Sequence, residues 1–162
     1  MEIAATEEHS KIASEILTYY EQTSAPWVVA YSGGKDSTMT VQIILETISR
    51  LKNHNKEVHV VYADTKVEPP PVVENATLFL RRIAEWAISN SLPVSTAVLA
   101  PPIHERSFVL MIGRGYLPPT RYFRWCTDRL KVRPIKRYVR SLIKRYGAST
   151  VIVGTRKKKP FS

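Results

Sequence analysis

Four short apolar runs recur along the chain, Trp27 to Tyr31, Val58 to Ala63, Val94 to Leu99 and Thr150 to Val153, with helix-patterned stretches between them. Short continuous apolar runs bounded by polar and turn-forming residues read as strands, the central ones covered on both faces of a sheet. Ile12, Ile16, Leu17 and Tyr20 recur at helical spacing and predict an amphipathic helix over about 7–23. Met39, Val41, Ile43, Ile44, Leu45, Ile48 and Leu51 mark a mostly buried helix that stops in the polar stretch Asn53-His54-Asn55. Pro69, Pro70 and Pro71 stiffen a loop and release a helix over about 72–89. A short helix is predicted over 107–112 and a basic amphipathic helix over 134–146. Strands alternating with helices imply an α/β fold, a parallel sheet with right-handed crossovers flanked by helices.

A chain of 162 residues is expected to form a single domain over 1–162 and to bury about two thirds of its unfolded surface. No apolar run approaches the roughly 20 residues that cross a bilayer. Met1-Glu2-Ile3-Ala4 lacks the basic-then-apolar order of a secretory signal. A cytoplasmic protein with no membrane partner is therefore expected. Cys126 is the only cysteine, so no internal disulfide forms and no four-cysteine iron–sulfur site can be assembled from this chain alone. Charge is unevenly placed. Residues 1–113 carry 9 Lys/Arg against 13 Asp/Glu, whereas residues 114–162 carry 15 against the single acid Asp128. A basic third of this kind suits a polyanion such as nucleic acid, or it is simply a solvated helix face.

The segment Ser32-Gly33-Gly34-Lys35-Asp36-Ser37 joins the first strand to the helix after it. Two glycines let backbone N–H groups approach a ligand closely, and the helix start adds unpaired donors and a positive dipole end. Such a loop is an anion nest suited to phosphate. It is not the Walker A pattern, which places four residues between its first glycine and Gly-Lys-[Ser/Thr]. In a parallel sheet, ligands gather at the carboxyl ends of the strands near a reversal of strand order. Asp64-Thr65 and Gly154-Thr155-Arg156 fall at such ends. Asp64 is either a ligand to Mg²⁺ or a ribose hydroxyl, or a turn aspartate capping N–H groups. Arg156 is either a phosphate clamp or a solvated cation. Between residues 115 and 131, Arg121, Arg124, Arg129 and Lys131 surround Cys126 and alternate with Tyr116, Tyr122, Phe123 and Trp125. Cations enrich a reactive thiolate, and aromatic rings among arginines stack on unpaired bases; the same residues also serve as core.

The loop Ser32 to Ser37 resembles the SGGxDS signature of the N-type ATP pyrophosphatases, the PP-loop enzymes. Together with Asp64-Thr65, the block Arg-Trp-Cys-Thr-Asp-Arg-Leu-Lys at 124–131 and the final Val-Gly-Thr-Arg at 153–156, it is similar to the phosphoadenosine-phosphosulfate reductase-like superfamily. Within that group the order of motifs looks closest to the DndC-type sulfurtransferases of DNA phosphorothioation and their Ssp-type relatives. The resemblance implies a Rossmann-like sheet of the adenine nucleotide alpha hydrolase kind. It implies that Ser32, Gly33, Gly34, Asp36 and Ser37 hold the β and γ phosphates of ATP, with Lys35 adding charge. Asp64 and Thr65 would line the nucleotide site, Asp64 with Mg²⁺, and Gly154 and Arg156 would close it. Lys35, Asp36, Cys126 and Arg129 would be the catalytic group, with the cysteine block facing the α phosphate and the acceptor. The implied reaction adenylates an acceptor with release of pyrophosphate, after which sulfur displaces AMP. The implied partners are DNA in preference to RNA, a cysteine desulfurase or other sulfur donor, and Dnd- or Ssp-type proteins.

DndC-type proteins carry further cysteines for a [4Fe–4S] cluster, and sulfonucleotide reductases carry a redox cysteine near the carboxyl terminus. This sequence ends at Ser162 with neither. The expectation is either a fragment of a longer chain or a minimal nucleotidyl module supplied with sulfur by a partner, and no reductase activity. Adenylation of tRNA or a small metabolite by the same loop is the alternative enzyme reading. A basic nucleic-acid-binding scaffold without turnover is the non-enzymatic one.

Overall fold

The computed structural model describes residues 7–155. Four parallel strands, β1 (Trp27–Tyr31), β2 (Val58–Ala63), β3 (Val94–Leu99) and β4 (Thr150–Val153), form one sheet in the order β3-β2-β1-β4. Each strand has the bounds expected from its apolar run. Side chains alternate across a strand, so each apolar run supplies two cores. On one face Trp27, Val29, Tyr31, Val58, Val60 and Tyr62 pack against three helices. These are α1 (Glu7–Gln22), α2 (Lys35–Ser49) and α3 (Pro70–Ser89). On the other face Val28 and Val61 meet Leu142, Ile135, Tyr138 and Val139 of α4 (Arg133–Tyr146). The two central strands are covered on both sides, which is why every residue of β2 is buried.

Topology follows from the hand of the crossovers. β1, β2 and β3 step in one direction across the sheet with α2 and α3 on one face. The return from β3 to β4 reverses direction, and a right-handed crossover then places α4 on the opposite face. Strand order therefore reverses between β1 and β4, and a crevice opens at their carboxyl ends.

The sequence expectation differs from the structure most between residues 125 and 146. Proline suggested a helix start at Pro134, but helix is continuous from residue 125, and Thr127–Val132 is a π-helical turn leading into α4. In an α-helix the Pro134 ring would collide with the Leu130 carbonyl and break one bond of the ladder. The wider π turn absorbs that mismatch. A second π turn, Val109–Gly113, precedes Gly115, whose φ of +66° turns the chain so that Tyr116 N–H donates to the Leu110 carbonyl at 3.0 Å.

Candidate functional site

Ser32 to Gly34 leave β1 at the reversal point. Gly33 has φ +78°, a conformation that side-chain-bearing residues rarely adopt, and Gly34 stands as N-cap of α2 with no side-chain cap. The first N–H groups of α2 consequently point out of the helix end. Hydroxyls knit the loop from within. Ser37 Oγ donates to the Gly34 carbonyl at 2.8 Å and accepts from Ser32 N–H at 3.2 Å, while Ser32 Oγ lies 3.0 Å from it. Asp36 lies in the first turn of α2, beside Lys35.

Gly154 follows β4 and is tied to the same place by sterics. A Cβ there would stand 2.3 Å from Thr40 Oγ1 and 3.1 Å from the Asp36 carbonyl, while Thr40 Oγ1 donates to that carbonyl at 2.9 Å. Only glycine lets the end of β4 come this close to the first turn of α2. Arg156, expected as a clamp, lies outside the described residues.

After β2 the chain turns sharply at Asp64, Thr65 and Lys66. Asp64 is buried and both its oxygens are engaged by Lys66, Oδ1 by the backbone N–H at 2.8 Å and Oδ2 by the ammonium at 2.6 Å. This is the turn-capping arrangement, and it supports Lys66 at a φ of +62°. Thr65 is also buried, and its Oγ1 has no hydrogen-bond partner among the described residues. A buried hydroxyl left without a partner beside a strand end has a donor and lone pairs to offer a ligand. Among the described residues no group of three or more His, Cys, Asp or Glu is assembled to hold a metal.

The two elements meet over a cavity of about 100 Å³ whose walls include Ser32, Ser37, Ala63, Ile135, Gly154 and Lys131. Lys131, read from the sequence as one of the cations around Cys126, comes from the π turn and lines this cavity. Its Nζ donates to Glu68 Oε1 at 3.0 Å, and Glu68 Oε2 accepts a hydrogen bond from the Tyr62 hydroxyl. Burial, then that bond to a carboxylate, pushes the Tyr62 phenol far above its usual range, so it remains a donor. Nothing in the sequence distinguishes Glu68 from a solvated loop acid, because its cation lies 63 residues away.

Cys126 and Arg129 are not among the residues lining the cavity. Cys126 is half-buried at the start of the π turn. The Arg129 guanidinium donates to the Tyr116 hydroxyl at 2.8 Å and lies over the same ring, 5.1 Å from its centre. Trp125 is buried, donates to the Leu117 carbonyl at 2.9 Å and meets Tyr116 edge-on. These three side chains fasten the 115–125 loop to the helix. Tyr122 and Phe123 project from the loop instead, at 94% and 49% exposure, between the exposed Arg121 and Arg124.

No family model matches the sequence. An uncharacterized protein of Methanocaldococcus jannaschii is 27% identical over 120 residues, which are 74% of this chain and 21% of that protein. The chain thus spans about one fifth of the length of the curated relative it matches. The U34-tRNA thiolase NcsA of Methanococcus maripaludis, solved with its [4Fe–4S] cluster, superposes with a TM-score of 0.49 at 11% identity, over 92% of this chain and 46% of that one. A phosphoadenylyl-sulfate (PAPS) reductase of Candida auris, solved as a phosphate complex, superposes with a TM-score of 0.51 at 18% identity, over 98% of this chain and 72% of that one. The parallel four-stranded sheet with helices on both faces is therefore the α/β fold of the PAPS reductases.

Proposed function

We propose that this chain is the nucleotide-binding domain of an ATP pyrophosphatase in a sulfur-transfer pathway, with phosphorothioate modification of DNA as its setting. One observation carries the reading. Ser32 after β1, Ser37 in the first turn of α2, Lys131 of the π turn and Gly154 after β4 line one cavity at the reversal of strand order, next to Gly33 in the left-handed region. The buried Thr65 hydroxyl, without a partner among the described residues, supports it further. So does the fold shared with a PAPS reductase whose structure was solved with phosphate.

In this reading the amides from Gly33 to Ser37 take the β and γ phosphates, Lys35 and Lys131 neutralise them, and Asp64 and Thr65 line the nucleotide. An acceptor oxygen attacks the α phosphorus, and the bond to the α–β bridging oxygen breaks. Pyrophosphate leaves with that electron pair, and a sulfur nucleophile then displaces AMP from the acceptor. Positioning and charge neutralisation supply most of the catalysis. Mg²⁺ in such sites is held chiefly by substrate phosphates with one or two carboxylates. In this reading Asp64 would offer Mg²⁺ its Oδ2 once the Lys66 ammonium moved off it, while Oδ1 stays on the Lys66 backbone N–H.

The test is release of pyrophosphate and AMP from Mg²⁺ and ATP with DNA, tRNA or no acceptor. Release that depends on DNA is expected. Asp36→Ala, at the first turn of α2, is expected to abolish AMP formation with the fold retained by circular dichroism. Cys126→Ser is expected to keep pyrophosphate release, since Cys126 lies off the cavity wall. Retained turnover in Asp36→Ala removes the loop from the mechanism, and release that follows tRNA instead of DNA moves the acceptor to RNA.

A further inference from the structure

Lys131 lines the cavity but its ammonium is engaged elsewhere, on Glu68. Glu68 is held from two sides, by Lys131 at one oxygen and by the buried Tyr62 hydroxyl at the other. The partners differ in freedom. The Glu68 side chain is 18% exposed and pinned to β2, whereas the Lys131 side chain is 43% exposed on a flexible stem. The lysine is the member of the pair that can move.

Physical need explains the pairing. The cavity is walled by Ser32 and by Ser37 in the first turn of α2, so an unpaired ammonium over it would face the positive end of that helix whenever no anion is present. We propose that Glu68, fixed by Tyr62, parks Lys131, and that anion binding in this cavity is an exchange in which the ammonium leaves the Glu68 carboxylate for phosphate oxygens. The inference rests on the nucleotide reading above and adds a regulator to it. Glu68 competes with the bound anion for one cation, so it weakens capture and hastens departure of pyrophosphate. The buried Thr65 hydroxyl, without a hydrogen-bond partner among the described residues and three residues before Glu68 on the same loop, independently marks this strand end as built for a ligand.

Titration calorimetry with inorganic pyrophosphate tests the exchange in the full chain, the Glu68→Gln variant, the Lys131→Met variant and the double variant. Glutamine keeps the acceptor for Tyr62 but loses the charge that holds the lysine. Glu68→Gln is expected to bind pyrophosphate several-fold more tightly, and Lys131→Met about tenfold more weakly, the scale of one charge-assisted contact. The double variant is expected to match Lys131→Met, because Glu68 acts only through the lysine. Unchanged or weaker binding by a folded Glu68→Gln chain overturns the proposal, as does tightening that persists without Lys131. Should Glu68→Gln melt early, Lys131→Met decides: undiminished affinity overturns the exchange, and a loss supports it. Absence of pyrophosphate binding by the unsubstituted chain instead removes the nucleotide reading itself, and the exchange falls with it.

Discussion

Gly154 carries more of the site than its lack of a side chain suggests. The contact at 2.3 Å that a methyl group would make with Thr40 Oγ1 exceeds any tolerance of packed atoms, and the Asp36 carbonyl at 3.1 Å blocks a sideways escape. Gly154→Ala is therefore expected to push β4 away from α2 at a cost of about 1–3 kcal/mol. For a domain of this size each kcal/mol lowers the melting temperature by roughly 2–4 °C. Thr40→Ala in the same chain removes the nearer clash and is expected to restore part of the loss, so the double variant melts above the sum of the single effects. Strict additivity would mean that the strand end and the helix turn do not touch as described. His59 gives the residue scale a second handle. It is buried on β2, with Nδ1 2.6 Å from Ser95 Oγ on β3 and 3.0 Å from Tyr138 Oη on α4, and Nε2 3.3 Å from Glu57 but out of hydrogen-bond alignment. Burial lowers its pKa; Glu57 opposes that shift and Arg145 of α4 adds to it. A group whose folded pKa is depressed leaves the unfolded chain holding more protons just below about pH 6.5, so its contribution is present at neutral pH and is lost as the pH falls. His59→Gln is expected to flatten the decline in stability between about pH 7 and 5, read from urea midpoints at fixed salt. An equally steep decline in the variant would assign the acid sensitivity to other groups.

At the scale of elements, what was legible in the sequence and what was not divide along a physical line. All four strands were read to the residue: β1 and β2 are short buried apolar runs, and the more exposed β3 and β4 are short runs rich in β-branched residues. The loop from Ser32 to Gly34 between β1 and α2 was equally legible, because its glycines, hydroxyls and helix start are contiguous. The helix over 125–146 was read nine residues short at its start. Proline ordinarily stops a helix, and the π turn that admits Pro134 depends on packing that no local rule encodes. The cation assignments suffered similarly. Among the basic residues near Cys126, Arg129 is fastened to Tyr116, Lys131 to Glu68 and Arg133 to Asp128 at 2.8 Å. Sequence proximity to the thiol therefore did not foretell where their charge goes. Arg137, read from the sequence as a cation on a nucleic-acid face, donates to Glu105 at 2.6 Å. Glu105 is buried, which alone would raise its pKa, but Arg137, Arg133 and His104 outweigh that and hold it below the usual carboxylate range. Long-range ion pairs of this kind leave no periodic trace in a sequence.

Across the whole molecule, the basic third runs from the loops at the carboxyl ends of the strands along α4 to the amino ends, where Tyr146 lies beside Pro26 and Glu57. The basic third begins at Arg114 and runs through the exposed Arg121-Tyr122-Phe123-Arg124 tip, the π turn above the cavity and the α4 helix. On α4, Arg133 and Arg137 are held by Glu105, while Lys136, Arg140 and Lys144 are exposed. Lys136, Arg140 and Lys144, with Arg121 and Arg124 of the tip, are thus exposed cations among the described residues that phosphate can reach, and Tyr122 and Phe123 offer faces to unpaired bases. If the acceptor is a nucleic acid lying from the tip toward α4, affinity must fall with salt at a log–log slope of about −0.7 to −0.9 for each phosphate neutralised. Fluorescence anisotropy of labelled single-stranded and duplex DNA between low and physiological salt measures that slope. Charge reversal at Arg140 and Lys144 is expected to make the slope shallower and to weaken both substrates, whereas reversal at Arg81 and Arg82 of α3, on the opposite face of the sheet, is expected to leave the slope unchanged. Tyr122→Ala is expected to weaken single-stranded DNA by about 1–3 kcal/mol with no change in slope, since stacking releases no counterions. The two kinds of variant thus separate backbone tracking from base stacking in one titration series. An affinity indifferent to salt in the unsubstituted chain would leave the basic third as a solvated surface and return the acceptor to a small molecule bound within the cavity alone.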